Sequence, residues 1–117
     1  MLDDYKIYRC WYDFLNWTLK KVDTFPKSVR YTVSGRIVNL SLDILEEVIY
    51  CVYKKSRQVK MESINLKLDI LRTFWRIALD NKWISVRNYE YICEQLNTFG
   101  KMTGGWLKSE TSGQSLS

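Results

Sequence analysis

Three carboxylates, Asp43, Glu46 and Glu47, and nine cations between Lys54 and Arg87 are the groupings in this sequence that could do chemistry. The chain contains no histidine. That removes the imidazole acid or base, the Ser-His and Cys-His nucleophile pairs and the Glu-x-x-His ligands of carboxylate-bridged di-iron bundles. Cys10, Cys51 and Cys93 stand singly, without CxxC spacing, so neither a zinc site nor a disulfide framework is expected. Buried thiols in a reducing compartment are the simpler reading. Gly35 and the pair Gly104-Gly105 make no phosphate-binding loop, since neither follows a strand or precedes a GK[ST]. Asp43, Glu46 and Glu47 share one helical strip with Arg36 and Lys54, where solvation or pairing suits them better than catalysis. The chain is therefore read as a non-enzyme without metal or cofactor, whose chemistry is the recognition of charge.

The formal net charge is +5, but it is concentrated. Residues 1–53 and 88–108 each balance, whereas 54–87 hold Lys54, Lys55, Arg57, Lys60, Lys67, Arg72, Arg76, Lys82 and Arg87 against Glu62, Asp69 and Asp80. A localised positive field is the footprint of a polyanion partner, RNA or DNA; a helix face kept charged for solubility accounts for the same residues equally well. On the binding reading, Lys54, Lys55, Arg57 and Lys60 cluster at one end of the molecule, and Lys67, Arg72 and Arg76 extend the charge along a side. Arg36 and Arg87 are secondary. Tyr53 and Trp83 flank this surface and could stack on unpaired bases, although aromatics at helical spacing more often fill a core.

The elements that position these residues are helical. Apolar periodicity predicts helices over about 4–22, 27–55, 62–81 and 86–107 within one domain, 1–108, followed by a disordered polar tail, 109–117. Four such helices with short connections make an all-α, up-down-up-down antiparallel bundle. The second helix carries two apolar stripes: Val33, Ile37, Leu40, Ile44, Val48 and Cys51, and beside them Val38, Leu42, Leu45, Ile49 and Val52. Together they cover roughly 200° of its circumference at about 100° per residue, where a helix on an ordinary core needs little more than 100°. One stripe suits the bundle; the other calls for a second copy of the chain. No apolar run approaches a membrane span, and Asp3 and Asp4 follow Met1-Leu2 too closely for a cleavable signal. A soluble, cytoplasmic homo-oligomer without membrane contact is expected.

With these residues laid out, the chain resembles the accessory variability determinant (Avd) proteins of diversity-generating retroelements. They belong to a wider four-helix bundle family that includes proteins encoded in intervening sequences of bacterial 23S ribosomal RNA genes. The resemblance rests on Phe25-Pro26-Lys27-Ser28, Arg30-Tyr31, the helix from Arg36-Ile37 to Glu46, and the closing Gly100-Lys101-Met102 and Gly104-Gly105-Trp106-Leu107-Lys108. It departs from the pattern at Val29, where relatives often carry a charge. What it implies is a barrel-like homopentamer that binds the retroelement's reverse transcriptase and template RNA and is needed for mutagenic retrohoming, with the chemistry left to the polymerase. The alternative within the same family is an intervening-sequence-type bundle with a structural or RNA-associated role and no polymerase partner.

Overall fold

An apolar stripe at helical spacing, Ile7, Trp11, Phe14, Leu15, Thr18 and Val22, is buried along the whole of α1 (Lys6–Val22). In the computed structural model, which describes residues 1–54 and 56–116 and side chains as far as Trp106, three further helices pack around it. These are α2 (Gly35–Tyr53), α3 (Gln58–Asp80) and α4 (Val86–Leu116). Helix α1 packs on α2 and α4, and α3 packs on the same two helices, which is the ring arrangement of a four-helix bundle. The described residues contain no strand, as the all-α reading requires.

Trp11 lies at the centre. It is fully buried, its indole N–H donates to the Ser41 carbonyl of α2 at 2.8 Å, and its ring centroid lies 4.5 Å from Phe99 and 5.5 Å from Phe14. A buried indole whose one donor is satisfied combines large apolar area with no stranded polar group. Ile37, Ile44, Val48 and Cys51 line the core from α2, whereas Val38, Leu45, Ile49 and Val52 are half-buried and Leu42 keeps 39% exposure. The first stripe read from the sequence is thus covered by the bundle except at Val33 and Leu40, which are half-buried, and the second is left partly open.

The elements differ from the sequence expectation in four places. Asp4 receives the N-terminal amine within a 3-10 turn, Leu2–Asp4, and α1 starts after Tyr5 with no side-chain cap. Residues 27–34 open the second helical segment as a 3-10 turn (Lys27–Val29) followed by a π turn (Arg30–Ser34), and α2 proper begins at Gly35. A Cβ on Gly35 would stand 3.2 Å from the Arg30 carbonyl, so glycine lets the wide turn close onto α2; Val29, the departure from the family pattern, packs against the core. Helix α3 begins at Gln58, because Met61 is fully buried and draws its turn onto the bundle, with Gln58 bonded to Glu62 at 3.2 Å. The backbone of α4 stays helical to Leu116. Gly104 and Gly105 lie inside it without positive φ, costing propensity of about 1 kcal/mol each without breaking the helix. In the expected tail, 109–117, the side chains and Ser117 lie outside the described residues.

The turn between α3 and α4 is closed by Trp83 N–H to Ala78 O and Lys82 N–H to Leu79 O, both 2.9 Å. This is the Schellman pattern, which places Lys82 in the left-handed position usually given to glycine, with φ 63°. Ser85 then caps α4 through its hydroxyl, which accepts from Asn88 N–H at 3.0 Å, as its residue type predicts.

Candidate nucleic-acid interface

Where α2 hands over to α3, two of the expected cations meet aromatic side chains from other helices, beside a third that is exposed. Lys54 is exposed at the end of α2. The Arg57 guanidinium lies 4.6 Å from the centroid of Trp106 on α4, and Lys60 Nζ lies 5.2 Å from that of Tyr50. Trp106 in turn meets Tyr5 edge-on at 6.3 Å. Cation–π contacts of this kind contribute about 0.5–1 kcal/mol each, and they hold Arg57 and Lys60 half-buried against this end of the bundle. Tyr53 stands exposed beside them. Lys55 lies outside the described residues.

The remaining expected residues are placed elsewhere. Lys67 crosses to α2 and pairs with Glu47 Oε1, which also accepts from Ser63 Oγ at 3.1 Å. Glu47 is only 7% exposed, so this lysine is committed to the seam between α2 and α3. Arg72 faces the other seam, donating to Asp69 at 2.8 Å and to Asn97 of α4 at 3.2 Å. Arg76 pairs with Asp80 at 3.0 Å, as the four-residue spacing predicts. That hydrogen bond raises its pKa above the ordinary guanidinium value. Burial, with Cys93 as neighbour, raises the Tyr89 hydroxyl too, against the opposing charge of Arg76. Arg36 is exposed on α2 and shares a shallow groove with Asp43, Ile70 and Phe74. Arg87 is exposed in the first turn of α4, at the end of the bundle opposite Lys54. The expected surface is thus a cluster at one pole, a pair of arginines along the α3–α4 seam, and three residues apart from both. Trp83 is half-buried against Phe25, with ring centroids 5.5 Å apart, which makes it a packing residue, whereas Tyr53 stays open to a ligand.

Sequence reading missed one concentration of charge. Lys20, Lys21, Lys27 and Arg30 belong to a stretch whose charges cancel along the chain, yet the fold brings them to the same end of the bundle as Lys82 and Arg87. The up-down-up-down topology implies that the first and third connections share an end, and the Phe25–Trp83 contact shows that they meet.

Among the described residues no group of three or more His, Cys, Asp or Glu could hold a metal ion, and no helix is long and apolar enough to cross a membrane. Fold and surface together define a small helical module: a four-helix bundle whose charged side chains, among the described residues, lie at its surface and along its helix seams. The sequence model of the bAvd-like family matches residues 5–110, and the chain belongs to that family. Membership points to an Avd-type accessory protein. Neither the curated proteins nor the solved structures contain a match to the chain.

Proposed function

We propose that this protein is a non-catalytic accessory subunit of a diversity-generating retroelement, binding the reverse transcriptase and the template RNA and required for mutagenic retrohoming. The observation that carries the reading is the family match over nearly the whole chain. The cation–aromatic cluster of exposed Lys54 and Tyr53 with half-buried Arg57 and Lys60 supports the RNA contact, because lysines and arginines on phosphates release counterions while an exposed ring accepts a base. Arg72 and Arg76, presented together along the α3–α4 seam, are suited to a carboxylate-bearing protein surface. The subunits assemble as a homopentamer through the half-open apolar faces: Leu42 on α2, Tyr12 and Leu19 on α1, and Leu66, 62% exposed, on α3. Localisation is cytoplasmic.

Two results test this. Light scattering of the purified chain is expected to give about 70 kDa, five times the 14.0 kDa chain, at both low and high salt; a monomer at both would remove the assembly. Reversing Arg72 and Arg76 together to glutamate is expected to weaken reverse transcriptase binding on the order of 100-fold, since each reversed charge meets like charge on the partner. Helix content should not change, because exposed ion pairs contribute only a few tenths of a kcal/mol. Undiminished co-purification of the folded double variant with the polymerase would count against that surface. An adjacent reading frame without reverse transcriptase motifs would favour the intervening-sequence-type role instead.

A further inference from the structure

We infer that the pole formed by the α1–α2 connection and the α3–α4 turn is a second RNA-binding surface, one that takes a single-stranded stretch. The inference rests on the RNA-binding reading above and adds a site to it. Phe25 joins the two connections, 5.5 Å from Trp83 and 6.0 Å from Trp75 between centroids. Around that hinge stand Lys20, Lys21, Lys27, Arg30, Lys82 and Arg87. The carboxylates at this end are Asp23, Glu90 and Asp80, the last already held by Arg76. Counting Arg76, seven cations face three carboxylates, a surplus of four.

Three local features give this charge the shape of a site. Tyr31 projects from the π turn with 90% of its surface exposed, far more than a tyrosine needs to keep its hydroxyl wet, and every nucleobase offers a face to stack on it. Lys27 and Arg30 rim a concavity floored by Val22, Phe25 and Val38, into whose wall the Ser34 side chain is set. Ser34 is 7% exposed and its hydroxyl has no protein partner. Lys82 holds its left-handed backbone where glycine would be less strained, so a cation is kept at this corner at the expense of stability. Helix α3 separates this pole from Lys54 and Arg57 by about 34 Å, at 1.5 Å for each of its 23 residues. A single subunit would therefore engage two separate segments of one RNA strand.

The test is fluorescence anisotropy of the full chain with a labelled, unstructured single-stranded RNA about 30 nucleotides long, across a salt series. The expected results are a loss of at least 10-fold for Lys27→Glu/Arg30→Glu, with a salt slope shallower by about 1.4 for two lost phosphate contacts. Tyr31→Ala should lose about 10-fold and Tyr31→Phe should match wild type, because stacking needs the ring and not the hydroxyl. Lys82→Gly should bind several-fold more weakly while its Tm is unchanged or higher, a split that a merely structural role would not produce. If the Lys27/Arg30 and Tyr31→Ala variants bind RNA as tightly as wild type while Lys54→Glu/Lys60→Glu loses binding, the second site is wrong and the RNA-binding reading stands. If the wild-type chain binds no RNA, both fall. If the Lys27/Arg30 variant loses reverse transcriptase while its RNA affinity is intact, the pole belongs to a protein partner and the RNA assignment is overturned.

Discussion

Trp11→Ala is expected to lower the stability of the fold by about 3–5 kcal/mol, the cost typical of deleting a large aromatic from a packed core, and so to shift the urea midpoint down by roughly 2 M. The indole is in contact with α2 through the Ser41 carbonyl and with α4 through Phe99, so its removal opens a cavity shared by three helices. Trp11→Phe separates the two contributions. It keeps most of the ring volume and loses the hydrogen bond, for which about 1 kcal/mol is expected. The Ser41 carbonyl also lies within α2, where the helix ladder supplies it with another donor. Chemical denaturation of the three proteins checks both numbers. Equal losses in the alanine and phenylalanine variants would mean that the hydrogen bond, and not the packing, holds the helices together.

Lys67→Met should cost about 2–3 kcal/mol and Glu47→Gln much less, although the two residues form a single pair. The asymmetry follows from burial. Lys67 keeps 24% of its side chain exposed and Glu47 only 9%. Once the carboxylate is neutralised, the lysine can extend its ammonium to water. Once the lysine is gone, Glu47 is left charged in a seam where Oε2 already lacks a partner. A sealed pair would cost about 3–5 kcal/mol on loss of one member; the partial exposure of Lys67 argues for the lower figure. Lys67→Met combined with Glu47→Leu should recover to within about 1 kcal/mol of wild type, since an apolar pair of similar volume needs no desolvation. A double variant as unstable as Lys67→Met alone would sink this account. RNA titration of the same set decides whether Lys67 has a second role: binding by the double variant at wild-type strength assigns this lysine to the seam alone.

Helix number and the interior were legible because they depend on local periodicity. Ile37, Ile44, Val48 and Cys51 read as one stripe from spacing alone and are all fully buried. The Arg76–Asp80 pair and the Ser85 cap likewise involve residues within four positions of each other. Boundaries were less legible where one residue overrode its neighbours. Residues 56–61 are polar except for Val59, which stays 78% exposed, and Met61, whose burial extends α3 by a turn.

The sequence by itself determined an all-α bundle, an excess of apolar surface beyond one core, a local surplus of positive charge and the absence of histidine chemistry. Each of these is a property of composition or of spacing within one helix. Only the tertiary structure decided what each charge is for. It drew Lys67 into the α2–α3 seam, set Arg72 and Arg76 on α3 facing α4, and gathered Lys27 and Arg30 with Lys82 and Arg87 at one pole although more than fifty residues separate the two pairs. Electrostatic interaction depends on distance through space, and a count along the chain cannot register it until packing brings the segments together.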